Sequence, residues 1–310
     1  MLGDIMSINN EKYSFAVIGG DSRQVVIANE LIRRGHEVKV FGLGNLGVHC
    51  VGAELLTSLE KAVDGSEIIL LPLPVTRDNV NLLLASDPKA ETVPLIELVR
   101  LASRYKCCAI LGGMLPDGIC SLCEKEGVFA RDYYKSDDLQ KKNALPSAEG
   151  ALMIAMEHTD ITVKDMKALV CGYGRIGTLL ASMLRSLGAD VTVAARRDET
   201  LCEISMDGYR SLRLDGNAEE LGAAVDACDV VFNTVPSVIL TSSVLGRVKS
   251  KPLYIEIASL PGGIDLSAAR DARIRTVFAP SLPGKYSPRS AGKYIFETIS
   301  DILAERSINV

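Results

Sequence analysis

Apolar residues along the chain gather in short unbroken runs, with amphipathic stretches of helical period between them. In the first half, runs at 13–18, 37–42, 66–72, 107–111 and 128–131 predict strands. Helices are predicted at 22–34, 57–64 and 119–126, with the end of another at 97–105; Gly35 ends the first of them. In the second half, strands are predicted at 168–172, 190–195, 229–235, 253–258 and 274–278, and a helix at 178–187. The runs are continuous rather than alternating, the pattern of strands covered on both faces, so the expected sheets are parallel. Strand–helix alternation with right-handed crossovers then makes two doubly wound α/β domains.

Between the halves, 137–143 is polar apart from Leu139, and Pro146-Ser147-Ala148-Glu149-Gly150 opens an apolar stretch to Met156. Ser147 is the expected N-cap of a helix joining the domains, although Gly150 stands where a capping box has Glu or Gln. The expected domains are 1–143, for substrate or partner, and 144–289, for the cofactor. A last helix within 290–310 is expected to pack back on the first domain.

The strand at 168–172 runs into Gly172-Tyr173-Gly174-Arg175-Ile176-Gly177. A G-x-G-x-x-G between a strand and a helix, with a second strand following, is a dinucleotide fingerprint and makes the domains Rossmann-like. Gly172 permits the tight turn, Gly174 lets the backbone approach a pyrophosphate, and Gly177 lets helix and strand pack closely. The helix N-terminus offers amide donors and a positive dipole end. The first half has only a loose counterpart, Gly19-Gly20-Asp21-Ser22-Arg23. Asp21 and Arg23 replace the small residues of the fingerprint, so a related fold without a dinucleotide is expected there. A plain βα turn capped by Asp21 or Ser22 and a ligand role both stand.

A carboxylate about 20 residues past the glycines would bind the ribose 2′-hydroxyl of NAD. Here Ala194-Ala195-Arg196-Arg197 occupies that place. Two guanidiniums and no carboxylate suit a 2′-phosphate, which points to NADP over NAD. Asn233, Thr234 and Pro236 end one later strand, and Ser259 follows the next; these are expected to line the nicotinamide-ribose region, since ligands lie beyond the carboxyl ends of such strands.

Residues 281–292 combine two prolines and two glycines with Lys285, Tyr286, Ser287 and Arg289. This reads as a cationic loop for an anionic, carboxylate-bearing ligand. Thr76, then Arg77, are the first-half candidates for the opposite wall, with a capping or surface role as the plain reading. Cys120 and Cys123 form a lone pair on a helical pattern, and no metal site is expected. No histidine follows His158, which disfavours a 2-hydroxy-acid dehydrogenase with a histidine acid/base. The net charge of -5 argues against nucleic acid as partner. No secretory signal or 18-residue apolar run is evident, so a cytoplasmic protein is expected.

Five segments together resemble the A-subunit family of dipicolinate synthase from spore-forming bacteria: 17–24 (VIGGDSRQ), 71–76 (LPLPVT), 143–151 (NALPSAEGA), 171–177 (CGYGRIG) and 283–292 (PGKYSPRSAG). The resemblance implies NAD(P)-dependent oxidation of dihydrodipicolinate, or its hydrated precursor, to pyridine-2,6-dicarboxylate during sporulation. It also implies a flavoprotein-like B subunit of dipicolinate synthase as partner in a hetero-oligomer, and a place in the mother-cell cytoplasm. Within that reading, Lys285, Ser287, Arg289, Thr76 and Arg77 hold the two carboxylates, and Glu149 and Tyr286 are the candidate bases. A nucleotide-binding subunit whose partner carries the reaction is the competing reading.

Overall fold

The computed structural model describes residues 11–85, 92–215 and 217–310. They form two compact units: one holds the described residues up to Lys142 together with Pro288–Val310, the other Asn143–Ser287.

The first unit runs β1 (Ser14–Ile18), α1 (Ser22–Arg33), β2 (Glu37–Phe41), β3 (Glu54–Leu56), α2 (Leu59–Val63), β4 (Ile68–Leu70), α3 (Leu95–Arg104), β5 (Ala109–Gly112), α4 (Asp117–Lys125) and β6 (Phe129–Asp132). Then α5 (Asp137–His158) leads into the second unit: β7 (Lys167–Cys171), α6 (Arg175–Ser186), β8 (Asp190–Ala195), α7 (Asp198–Met206), β9 (Arg210–Arg213), α8 (Ala218–Asp226), β10 (Val230–Asn233), α9 (Ser242–Leu245), β11 (Leu253–Glu256), α10 (Leu266–Asp271), β12 (Arg275–Phe278) and α11 (Leu282–Tyr286). The final helix, α12 (Pro288–Ala304), belongs to the first unit.

Both sheets are six-stranded, parallel and of the same order. The first is β3-β2-β1-β4-β5-β6, and the second, read from its other edge, is β9-β8-β7-β10-β11-β12. This is the 3-2-1-4-5-6 order of the dinucleotide-binding fold, with its switch point between the first and fourth strands of each unit.

Alternating residues of each strand serve opposite layers. Phe15 and Val17 of β1 pack with Ile27 and Leu31 of α1 and with Ile295, Phe296 and Ile299 of α12. Ala16 and Ile18 pack on the other side with Leu95, Leu98 and Val99 of α3. In the second unit, Ala168 and Val170 of β7 meet Ala151 and Ile154 of α5 and Leu180 and Leu184 of α6. Leu169 and Cys171 face Leu221 and Val225 of α8. Cys123 is wholly buried in the first-unit core, and burial pushes its thiol up to about 11, so it acts as a small hydrophobe.

Two expectations are corrected. Ser147 is not an N-cap: α5 begins at Asp137 and continues through Pro146, and the Ser147 hydroxyl donates to the Asn143 carbonyl one turn back, at 2.9 Å. The polar stretch is the opening of the helix, with acids at its N-terminus paired to lysines four residues on, Asp137 with Lys141 and Asp138 with Lys142. Nor is 281–292 a loop. It comprises α11, a break at Ser287 and the start of α12, with Pro283 in the first turn of α11 and Pro288 opening α12. Proline suits a first turn because its missing N–H would have no helical partner there.

Candidate dinucleotide site

The fingerprint turn joins β7 to α6. Gly172 has φ +99° and donates its N–H to the Ala194 carbonyl at 2.8 Å. A Cβ on Gly177 would lie 2.1 Å from the Gly172 oxygen, so only glycine lets α6 approach β7 this closely. A Cβ on Gly174 would meet nothing within 4 Å, and Gly174 is exposed. No side chain caps α6, whose N-cap is Gly174. Tyr173 turns its ring against Tyr209, and its hydroxyl donates to Asp207 at 2.5 Å. Burial pushes the Tyr173 phenol upward, so it stays protonated as that donor. Ile176 packs on the apolar core beneath the turn.

The matching turn of the first unit is filled by its own chain. Gly20 donates to the Leu83 carbonyl at 2.8 Å, and a Cβ on Gly19 would lie 2.5 Å from that oxygen. Asp21 caps α1 by accepting from the Arg23 amide, and the buried Arg23 guanidinium pairs with the Asp21 carboxylate and donates to the Leu73 carbonyl. Backbone donors that a phosphate would use are thus occupied.

At the end of β8, Arg196 and Arg197 are both exposed, and among the described residues neither guanidinium has an ion-pair partner. Beyond β10, Thr234 donates to the Cys171 carbonyl at 2.9 Å and would lie 2.3 Å from a Cβ on Gly172, so it buttresses the turn from below. Asn233, expected to line the cofactor, is instead fully buried. Its amide donates to Val235 and Glu256 at 2.9 and 2.7 Å and accepts from the Val235 amide. Pro236 and Ser259 follow β10 and β11, and both are exposed.

Glu256 ends the strand whose following loop is expected at the cofactor, but its role does not show in the sequence, because a lone carboxylate ending a strand looks like a surface residue. It is only 3% exposed. One oxygen accepts from Asn233 and the Ala258 amide, at 2.7 and 3.1 Å; the other accepts from Tyr254 and the Gly263 amide, at 2.8 and 2.7 Å. Four donors around one buried carboxylate hold the ends of β10 and β11 and the turn at 258–263 together. The one sequence signal is a carboxylate set inside an otherwise apolar run, Leu253 to Ile257, with a glycine pair at 262–263.

Glu149, Lys285 and Tyr286 come together. With Leu152, Met153, Met156 and Glu157 they line a hollow of about 580 Å³ in the second unit. The Lys285 ammonium lies 4.7 Å above the Tyr286 ring, and Tyr286 raises its pKa. Ser287 is half-buried at the end of α11 and Arg289 is exposed at the start of α12. Thr76, expected to bind a carboxylate, is instead part of a closed turn: its hydroxyl donates to Asp78 at 2.9 Å. Asp78 also accepts from the Val80 and Asn81 amides, at 2.9 and 2.8 Å, which hold its carboxyl well below the usual carboxylate range. Arg77 is exposed beside that turn.

The family model for the N-terminal domain of the dipicolinate synthase A subunit matches residues 14–134. The A subunit of dipicolinate synthase from Bacillus subtilis (strain 168) is 30% identical over 290 residues, which cover 94% of this chain and 95% of that protein. The chain belongs to the dipicolinate synthase A-subunit family. The crystal structure of the dipicolinate synthase A chain from Bacillus subtilis superposes with a TM-score of 0.78 at 30% identity, covering 96% of this chain and 97% of that one. The corresponding protein from Bacillus halodurans gives 0.80 at 27% identity, covering 94% and 98%. An L-alanine dehydrogenase shares the fold alone, with a TM-score of 0.61 at 15% identity over 94% and 90%. The dipicolinate synthase fold is therefore dehydrogenase-like, and among the described residues no helix is long and apolar enough to cross a membrane.

Proposed function

We propose that this chain binds NADP at the β7–α6 turn and oxidises dihydrodipicolinate, or its hydrated precursor, to pyridine-2,6-dicarboxylate, working with a second, flavoprotein-like subunit. The observation that carries the cofactor reading is the pairing of an open Gly174 cradle with two exposed arginines at the end of β8 that have no ion-pair partner among the described residues. The substrate reading is supported by membership of the dipicolinate synthase A-subunit family.

The fit to the nucleotide follows from the donors present. The uncapped first turn of α6 supplies N–H groups and a positive dipole end for the pyrophosphate. Arg196 and Arg197 supply charge and planar donors for a 2′-phosphate. Pro236 and Ser259 bound the nicotinamide end, and Asn233 acts one layer below by holding their loops through Glu256. When bound, the nicotinamide supplies a hydride acceptor at C4. The overall oxidation would convert dihydrodipicolinate and NADP⁺ to the aromatic dicarboxylate, NADPH and one proton, with one water also released from the hydrated precursor.

For that proton the chain offers Glu149 and Tyr286, which share the hollow beside α5. Carboxylate recognition is assigned to Lys285, which lines that hollow, and to Ser287 at the end of the same helix, with Arg77 and Arg289 as further cationic candidates. Thr76 has its hydroxyl engaged by Asp78, so it serves by fixing the turn beside Arg77. The test is product formation, read from the absorbance of the aromatic ring, with NADP⁺ and dihydrodipicolinate, with and without the flavoprotein-like subunit. Turnover that needs this chain and falls in Glu149→Gln or Tyr286→Phe supports the assignment. Turnover by the flavoprotein-like subunit alone would reduce this chain to a nucleotide-binding accessory.

A further inference from the structure

The arginine pair at the end of β8 has acidic neighbours. Asp198 and Glu199 form the first turn of α7, directly after Arg197. Acids suit that place because they complement the helix dipole. A phosphate bound by Arg196 and Arg197 has the opposite need. An uncompensated carboxylate there repels the phosphate and competes for the guanidiniums. The same few residues thus face two conflicting electrostatic demands.

Arg213 meets both. It ends β9, in register with Ala195 of β8. Its guanidinium pairs with Asp198 and lies 3.5 Å from Asp215. One nitrogen, Nη1, also donates to the Arg196 carbonyl at 2.9 Å. The Arg213 side chain is 39% exposed, whereas Asp198 is 79% exposed, so the cation sits beneath a carboxylate that faces solvent. Asp198 is neutralised where it stands, and the backbone that carries Arg196 is tied to the neighbouring strand.

We propose that Arg213 is a positioning residue for cofactor choice: it occupies Asp198 and fixes the Arg196 backbone, leaving Arg196 and Arg197 open to a 2′-phosphate. The inference rests on the NADP reading above and adds a residue that lies outside the fingerprint and 16 positions beyond Arg197. A purely structural clasp between β9 and α7 would affect NADPH and NADH alike. A 2′-phosphate device affects NADPH alone, because the two nucleotides differ only in that group.

The test titrates NADPH and NADH into the full chain, following nucleotide fluorescence, for wild type, R213M and R213M/D198N. Methionine keeps an unbranched apolar stem and removes the guanidinium. R213M is expected to weaken NADPH binding by about tenfold or more while NADH changes by less than about twofold. Adding D198N is expected to recover most of the lost NADPH affinity, since of the two carboxylates that R213M frees, Asp198 and Asp215, the one directly after Arg197 is gone. Equal losses for both nucleotides, an unchanged NADPH preference in R213M, or no recovery in the double variant overturns the proposal. If R213M does not fold, R213K replaces it. Lysine keeps the charge without the fork, so an intermediate loss confined to NADPH is expected, and an equal loss for both overturns the proposal. Wild type binding both nucleotides equally removes the NADP reading itself; wild-type preference that survives in R213M removes only the role of Arg213.

Discussion

Alanine at Gly177 places a Cβ 2.1 Å from the Gly172 oxygen, whereas alanine at Gly174 meets nothing within 4 Å. The two glycines therefore separate fold from ligand. Gly177→Ala is expected to lower both thermal stability and nucleotide affinity. Gly174→Ala is expected to leave the melting temperature within about 2 °C, because its Cβ points into open space, yet to weaken nucleotide binding by about tenfold or more, because the pyrophosphate needs that space. Melting curves with and without NADPH distinguish the two. Glu256 makes a different prediction. Its loss in Glu256→Ala strands two side-chain and two backbone donors in a buried place, at a cost of about 3 kcal/mol or more in denaturant unfolding. His36 gives a pH signature. Its half-buried ring accepts from the Tyr13 amide at 3.3 Å, and burial, then the charge of Arg34, lowers its pKa. A lowered histidine pKa means the unfolded chain takes up the proton first. Stability is therefore full above the ordinary histidine pKa of about 6.5 and is lost as pH falls below it. His36→Gln should flatten the stability slope between about pH 7 and about pH 5.5.

At the scale of elements, α5 offers a check on its own continuity. Ser147 lies mid-helix, so Ser147→Ala should change stability by less than about 0.5 kcal/mol, whereas loss of an N-cap would cost about 1 kcal/mol. The central strands were legible because they are buried on both faces and therefore wholly apolar. The outer strands β3 and β9 were not, because their residues are mostly exposed and carry no such run. Helix α5 starts earlier than expected for a related reason: its first two turns are helical through charge pairs and acids at the N-terminus rather than through an apolar stripe. Proline at position 146 then imitated a boundary. The cofactor turn was legible because glycine spacing, strand and helix all reinforce one another. The Asn233–Glu256 pair was not, because partners 23 positions apart show their pairing only when β10 and β11 lie side by side.

At the scale of the molecule, the chain leaves the first unit at Lys142 and returns to it at Pro288. Helix α12 supplies Ile295, Phe296, Ile299 and Leu303 to the core on one face of the first sheet, and a Cβ on its Gly292 would come within 2.8 Å of Val26 on α1. A chain ending at Ser287 should therefore lose the cooperative unfolding of the first unit, while Asn143–Ser287, which holds both of its own core layers, keeps its transition in calorimetry. The two units share one topology, yet among the described residues only the second presents an open glycine cradle beside arginines without ion-pair partners; in the first, Leu83 and Arg23 fill the corresponding place. That difference makes the second unit the proposed nucleotide carrier and NADP the proposed cofactor. The most direct measurement is the affinity of the intact wild-type protein for NADPH and NADH under identical buffer and salt. NADPH should bind at least about tenfold tighter, with the gap narrowed by Arg196→Asp. Equal affinities, or tighter binding of NADH, would contradict the assignment.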